Sequence, residues 1–163
     1  MRAAERIREL VKDPDMVIGP RAEALLYAAA RAQLVDEALR PLLDGGTWVL
    51  LDRFVDSSLA YQGGGRELGI DAVRKINAFG TGGVRPDRTL LLEIDPTLGR
   101  SRSRDRGEAL DRLELEHDEF HARIANAYEE LADADPERIR RIDASQPEEQ
   151  VLRSALDAVA DLV

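Results

Sequence analysis

At the end of the run Thr47-Trp48-Val49-Leu50-Leu51 an acid and a base stand side by side, Asp52 and Arg53. An aspartate at the end of a buried strand can hold Mg²⁺ directly or through water, as phosphate-transfer sites do. The neighbouring guanidinium can grip a phosphate with two hydrogen bonds. Taken alone, the dipeptide reads more simply as a helix N-cap and a surface arginine. The residues after it add weight: Ser57, Ser58, Tyr61 and Gln62 are four hydrogen-bonding side chains, and Gly63-Gly64-Gly65 and Arg66 come next. Three glycines permit backbone shapes closed to other residues, although a flexible surface turn would look the same.

Upstream, "LLYAAARAQ" places Tyr27 and Arg31 four residues apart, on one face of a helix. An aromatic plate beside a guanidinium fork can stack on a flat base and bond its edge. A core tyrosine beside an exposed arginine is the plainer alternative. Downstream, Arg100, Arg102, Arg104, Arg106 and Arg112 fall within thirteen residues. They can form a mobile lid that neutralises a polyphosphate, or a solvated helix face balanced by Glu108, Asp111, Glu114 and Glu116. His117 and His121 share a helix face, but no third ligand pattern accompanies them, and a surface role is expected. No GxxxxGK[ST] run occurs in the chain.

These residues need elements to carry them. Thr47–Leu51, Thr89–Ile94 and Arg138–Ile142 read as short buried strands, rich in leucine and β-branched residues. Helical patterns alternate with them: an amphipathic start at "MRAAERIREL", then Pro20 to Leu43 with Pro41 near its end, and Ile70–Phe79. A helix from Pro96, Leu113–Ala132 and Pro147–Leu162 complete the set. Alternation of this kind predicts an α/β fold around a mostly parallel sheet, with ligands beyond the carboxyl ends of the strands. With 163 residues and no dividing linker, one domain is expected. The net charge of −9 and pI of about 4.8 argue against nucleic-acid or anionic-membrane binding. No apolar run is long enough to cross a bilayer. Cysteine is absent, so disulfides and thiolate zinc sites are excluded, and the cytoplasm is the expected location.

Together, "AERIRELV", "AEALLYAAARAQLV", "DRFVDSSLAYQGGGR", "RPDRTLLLEIDP", "RGEALDRLE" and "IDASQPEEQV" resemble bacterial thymidylate kinases almost end to end. The resemblance implies a three-layer P-loop-kinase-like fold, a parallel sheet flanked by helices. It implies transfer of the ATP γ-phosphoryl group to dTMP with Mg²⁺, by a homodimer. Tyr27 matches the aromatic that stacks on thymine, and Arg31 the arginine on the base edge. Ser58 falls where a polar residue approaches the base, Tyr61 matches the aromatic under the deoxyribose, and Gln62 lies near the nucleotide. Asp52 matches the acid near Mg²⁺ and Arg53 the arginine on the acceptor phosphate. Arg100, Arg104 and Arg106 fall in the basic lid facing ATP, expected near residues 100–114, and Ser145 in the loop beside adenine.

The chain also departs from that pattern. The family opens with a strand, a phosphate-binding loop, a helix and a second strand ending in "EPGGT". The resemblance here starts just after that segment, so about 40 residues, the size of one strand–loop–helix–strand unit, have no counterpart. This leaves two expectations. Either Met1 is an internal start of a longer dTMP kinase, which the matching nucleotide residues favour, or the chain is a non-catalytic remnant that binds dTMP or dimerises. Another nucleoside monophosphate as acceptor suits Tyr27, Arg31 and "AYQGGGR" less well.

Overall fold

A computed structural model describes residues 2–95, 98–99 and 111–162. The chain divides into two compact units, Met1–Arg85 with Leu110–Ala127, and Pro86–Ala109 with Tyr128–Val163.

The first unit is helical. Helix α1 (Arg2–Lys12) is strongly amphipathic and buries Ala4 and Val11, packing on α2 (Pro20–Leu34). Pro20 occupies the first helical position of α2, where its missing N–H is no loss and its fixed φ already suits the helix. The spiral continues through a wider π segment, Val35–Leu39, into α3 (Arg40–Asp44), so the long helix expected from Pro20 forms in three joined pieces. Pro41 cannot donate to the carbonyl four residues back, and Arg40 N–H instead reaches Val35 O. The widened π spiral absorbs that break.

Helix α4 (Val55–Ser58) runs directly into a second π segment, Leu59–Gly65. Helix α5 (Ile70–Thr81) comes next and ends at Gly82, whose φ of 56° is the left-handed conformation that closes helices. Arg40 donates to the carbonyls of Thr81 and Gly82 at that end, at 3.3 and 3.1 Å. Where α2 meets α5, a Cβ on Gly80 would stand 3.1 Å from Ala28 O, so the two backbones touch.

One expected element did not form. Thr47–Leu51 is irregular, not a strand, and Trp48 and Leu50 are 64% and 95% exposed. A strand is defined by a hydrogen-bonded neighbour, and among the described residues the sheet has two strands, neither of them this one. Apolar composition alone did not make it a strand.

The second unit carries the sheet. Strands β1 (Thr89–Glu93) and β2 (Ile139–Asp143) pair in parallel, from Thr89 opposite Ile139 to Glu93 opposite Asp143. Both lie within a residue of their expected bounds. Ile139 and Ile142 are buried, and Arg138 bonds Asp135 and the hydroxyl of Thr89. Helix α6 (Asp118–Ala134), whose residues up to Ala127 and the turn before it belong to the first unit, begins five residues after the expected Leu113. Asp111 holds the N–H groups of Leu113 and Glu114 in a separate turn before it. Helix α7 (Glu148–Asp157) and a short 3₁₀ turn, Ala160–Leu162, occupy the last expected helix. The chain is thus α/β with parallel strands and helices. Except for Leu98 and Gly99, the helix expected from Pro96 lies outside the described residues.

Candidate functional site

Helix α2 carries Glu23, Tyr27 and Arg31 at spacings of four, which sets them along one stripe. Three N–H groups of Arg31 are committed within the first unit: Nη1 to Asn77 Oδ1, and Nη2 to Phe54 O at 3.0 Å and Ser58 Oγ at 2.9 Å. The guanidinium also lies 5.5 Å from the Phe54 ring centroid. A guanidinium has five N–H groups in a fixed fork, so the inward edge is anchored and donors remain for a bound molecule. Burial lowers Arg31 to about 10, with the positive charge of Arg8 acting the same way. It stays a cation at neutral pH.

Tyr27 is half-buried. Burial, then the charges of Glu23 and Asp111, push its phenol up to about 12, so the ring is neutral at neutral pH. A neutral aromatic suits stacking. Tyr61 lies on the π segment, with the Arg53 guanidinium 5.3 Å from its ring centroid and the Phe120 ring edge-on at 6.2 Å. Arg53 has a φ of 66°, uncommon for a residue with a side chain. It is exposed, as is Asp52. With Thr47–Leu51 irregular, these two stand on a turn before α4 rather than at a strand end. A lone exposed carboxylate fits Mg²⁺, which keeps several waters and takes one or two carboxylates together with substrate phosphates.

The glycine run is not a flexible surface turn. Gly63 and Gly65 are buried, and φ is not positive at any of the three. Their role is close approach: an added Cβ on Gly64 would come within 2.5 Å of Ala127 Cβ, and one on Gly65 within 2.7 Å of the Phe120 ring. Gln62 is 2% exposed, and its amide Nε2 donates to Glu23 Oε1 at 2.9 Å. It therefore braces the stripe from inside.

Glu23 was not singled out in the sequence, yet it is fully buried, at 0% exposure. Arg66 donates to it from Nε and Nη2, the latter at 3.0 Å, and Arg112 from Nη2 at 2.5 Å. Burial by itself would raise this carboxyl, but the bonds from Arg66, Gln62 and Arg112 outweigh it and hold Glu23 below its ordinary range. The signal available was an acid four residues before Tyr27 on the stripe that also carries Arg31. Asn77 and Arg8 were missed as well.

Ser145 belongs to the second unit. Its hydroxyl donates to Asp143 Oδ1 at 2.6 Å and its N–H to the same oxygen at 2.9 Å, while Gln146 takes the other oxygen. These bonds hold the Asp143 carboxyl below its ordinary range. The loop is thereby ordered by its own side chains. Arg100, Arg104 and Arg106 lie outside the described residues.

The family model described as thymidylate kinase matches residues 1–155. The chain is 47% identical to the thymidylate kinase of Halorhodospira halophila over 160 residues, covering 98% of this chain and 74% of that protein. It is 47% identical to that of Deinococcus radiodurans over 156 residues, 96% and 75% of the two chains. It is 46% identical to that of Lactobacillus delbrueckii subsp. bulgaricus over 158 residues, 96% and 74%.

Proposed function

On the premise that the chain belongs to the thymidylate kinase family, we propose that its first unit binds dTMP as the acceptor of the ATP γ-phosphoryl group. The observation that carries this reading is the anchored fork of Arg31, fixed on one side by Ser58, Phe54 O and Asn77 and beside the half-buried ring of Tyr27. Tyr27 stacks on thymine, and Arg31 bonds its edge with Ser58 holding the fork in plane. Tyr61 lies under the deoxyribose, with Gln62 behind it. Arg53 takes the acceptor phosphate, its guanidinium steadied over the Tyr61 ring.

Transfer of a phosphoryl group requires two anions to be brought together and the charge developing on the moving group to be neutralised. Arg53 supplies that from the acceptor side. Arg100, Arg104 and Arg106 supply it from the ATP side, and Ser145 belongs to the loop beside adenine. Asp52 would hold Mg²⁺, directly or through water, and the ion would supply positive charge to neutralise the phosphates. The protein acts in the cytoplasm as a homodimer, and the dimer is supported by Leu25 and Phe79, 56% and 92% exposed on the packed pair α2 and α5. Sedimentation of Phe79→Glu tests it, with a monomer expected.

Binding and turnover are separate steps. The 163 residues contain no GxxxxGK[ST] run, whose backbone amides and lysine cradle nucleotide phosphates. A second reading is that these 163 residues bind dTMP without turnover. Calorimetric titration with dTMP and dGMP, followed by an ADP-release assay with ATP and Mg²⁺, separates the readings. Selective dTMP binding supports both, and ADP release decides for transfer. Equal or absent binding of the two nucleotides by a folded chain overturns the reading.

A further inference from the structure

The mutual arrangement of the pocket residues needs a cause, because they come from separate parts of the chain: Tyr27 and Arg31 from α2, Tyr61 from the π segment. Glu23 touches both. It stands one turn before Tyr27 and two before Arg31 on the same stripe. Its Oε1 accepts from Gln62, the neighbour of Tyr61, and both oxygens accept from Arg66, which follows the π segment. Oε2 also accepts from Arg112, whose Nε donates to Val11 O at 2.9 Å near the end of α1. Three segments meet on one carboxylate.

The charges balance. Arg66 pairs with Glu116 at 2.6 Å as well as with Glu23, so the cluster holds two acids and two guanidiniums. Arg66 further lies 4.6 Å from the Phe120 ring centroid. A buried carboxylate with this many donors has little freedom to rotate or withdraw. Losing its charge would leave guanidiniums buried without their counter-ion.

We propose that Glu23 is a positioning residue for the acceptor pocket: its carboxylate locks α2 to the π segment Leu59–Gly65 and so sets Tyr27 and Arg31 relative to Tyr61. The proposal deepens the dTMP reading and rests on it for the identity of the ligand, whereas the lock itself stands on the bonds above. Glu23 does not touch the nucleotide and acts through Gln62, Arg66 and Arg112.

The experiment compares the parent chain with Glu23→Gln, Glu23→Asp and the charge-balanced double variant Glu23→Gln/Arg112→Gln, which leaves the Arg66–Glu116 pair intact. Two quantities are read: the NMR signals of the Tyr27 ring and the Arg31 Nε–H, and dTMP affinity by calorimetry. Glu23→Gln is expected to move both signals and weaken dTMP binding about tenfold, the scale of a modest coupling free energy. The double variant restores the charge balance without the carboxylate and is expected to keep that loss, whereas full recovery would assign the effect to an unpaired Arg112 and overturn the proposal. A merely structural Glu23 would lower the melting temperature and leave the signals and the affinity of the folded fraction unchanged, which overturns the proposal. Should Glu23→Gln not fold, Glu23→Asp, with charge kept and reach shortened, carries the same two readings. A parent that does not bind dTMP, with signals that still move in the variants, sinks the dTMP reading and keeps the lock. Intact dTMP binding with unmoved signals does the reverse.

Discussion

Thr47 to Arg66 is continuous in sequence and split in structure. Its second half, Val55–Gly65, is helical and largely buried, with Ser58 and Gln62 closed off from solvent. Its first half, Thr47–Arg53, is irregular and exposed although it is the more apolar. The difference lies in where each half finds its hydrogen bonds. A helix satisfies its backbone within its own span, so Val55–Gly65 could form first and then pack. A strand draws on a neighbour, and an apolar stretch without one keeps its side chains in water. Of the pocket groups that ride on helices, Arg31 and Ser58 are fixed by named bonds and Tyr27 is half-buried, while Asp52 and Arg53 ride on the exposed half.

Mutation breaks or sharpens that contrast. The largest effect belongs to Glu23→Ala, which strands Arg66 and Arg112 without their buried partner and is expected to cost about 3–5 kcal/mol in urea unfolding. Leu50→Ser, at a far more apolar but 95% exposed position, should stay within about 0.5 kcal/mol. Equal costs would erase the distinction between the halves. The first difference should also depend on pH. The Glu23 carboxyl is held low in the folded chain, so its stabilisation is complete above the ordinary glutamate value and lost as pH falls through the lowered one. Parent and Glu23→Ala should therefore converge on acidification below about pH 4.

The glycines test the buried half from another side. In an open helix, Gly→Ala stabilises by about 1 kcal/mol. At Gly64 the new methyl would meet Ala127 Cβ at 2.5 Å, and at Gly65 the Phe120 ring at 2.7 Å. Overpacking of that kind costs about 1–3 kcal/mol, so both variants should melt lower. A higher melting temperature for either would mean the π segment is looser than its contacts indicate.

How much of this could be read from the sequence obeys the same division. Helix faces and the two paired strands were legible, since period and composition are local properties: Thr89–Glu93 and Ile139–Asp143 formed almost where expected. The stripe of Tyr27 and Arg31 was legible for the same reason. Glu23 was not, because glutamate is almost never fully buried unless paired, and its partners lie 39, 43 and 89 positions away. The glycines were legible as special but for the wrong cause, since close packing leaves the same letters as a left-handed turn. Thr47–Leu51 was misread because strand-like composition says nothing about whether a neighbour is in place.

Arg53 should give a small change in stability and is the most telling residue for function. Its φ of 66° costs a residue with a Cβ about 1–2 kcal/mol. Glycine would remove that strain but add about 0.5–1 kcal/mol of unfolded-chain entropy, so Arg53→Gly should leave the unfolding free energy within about 1 kcal/mol of the parent. It also removes the guanidinium from the Tyr61 ring. If the exposed half is held in this strained turn for the sake of a phosphate, dTMP binding should weaken by about tenfold or more, the scale of one charged hydrogen-bonding partner. Binding of thymidine, which lacks the phosphate, should be unchanged. Loss of both equally would show that Arg53 supports the ring and not the phosphate, and the strain at residue 53 would then belong to the buried half after all.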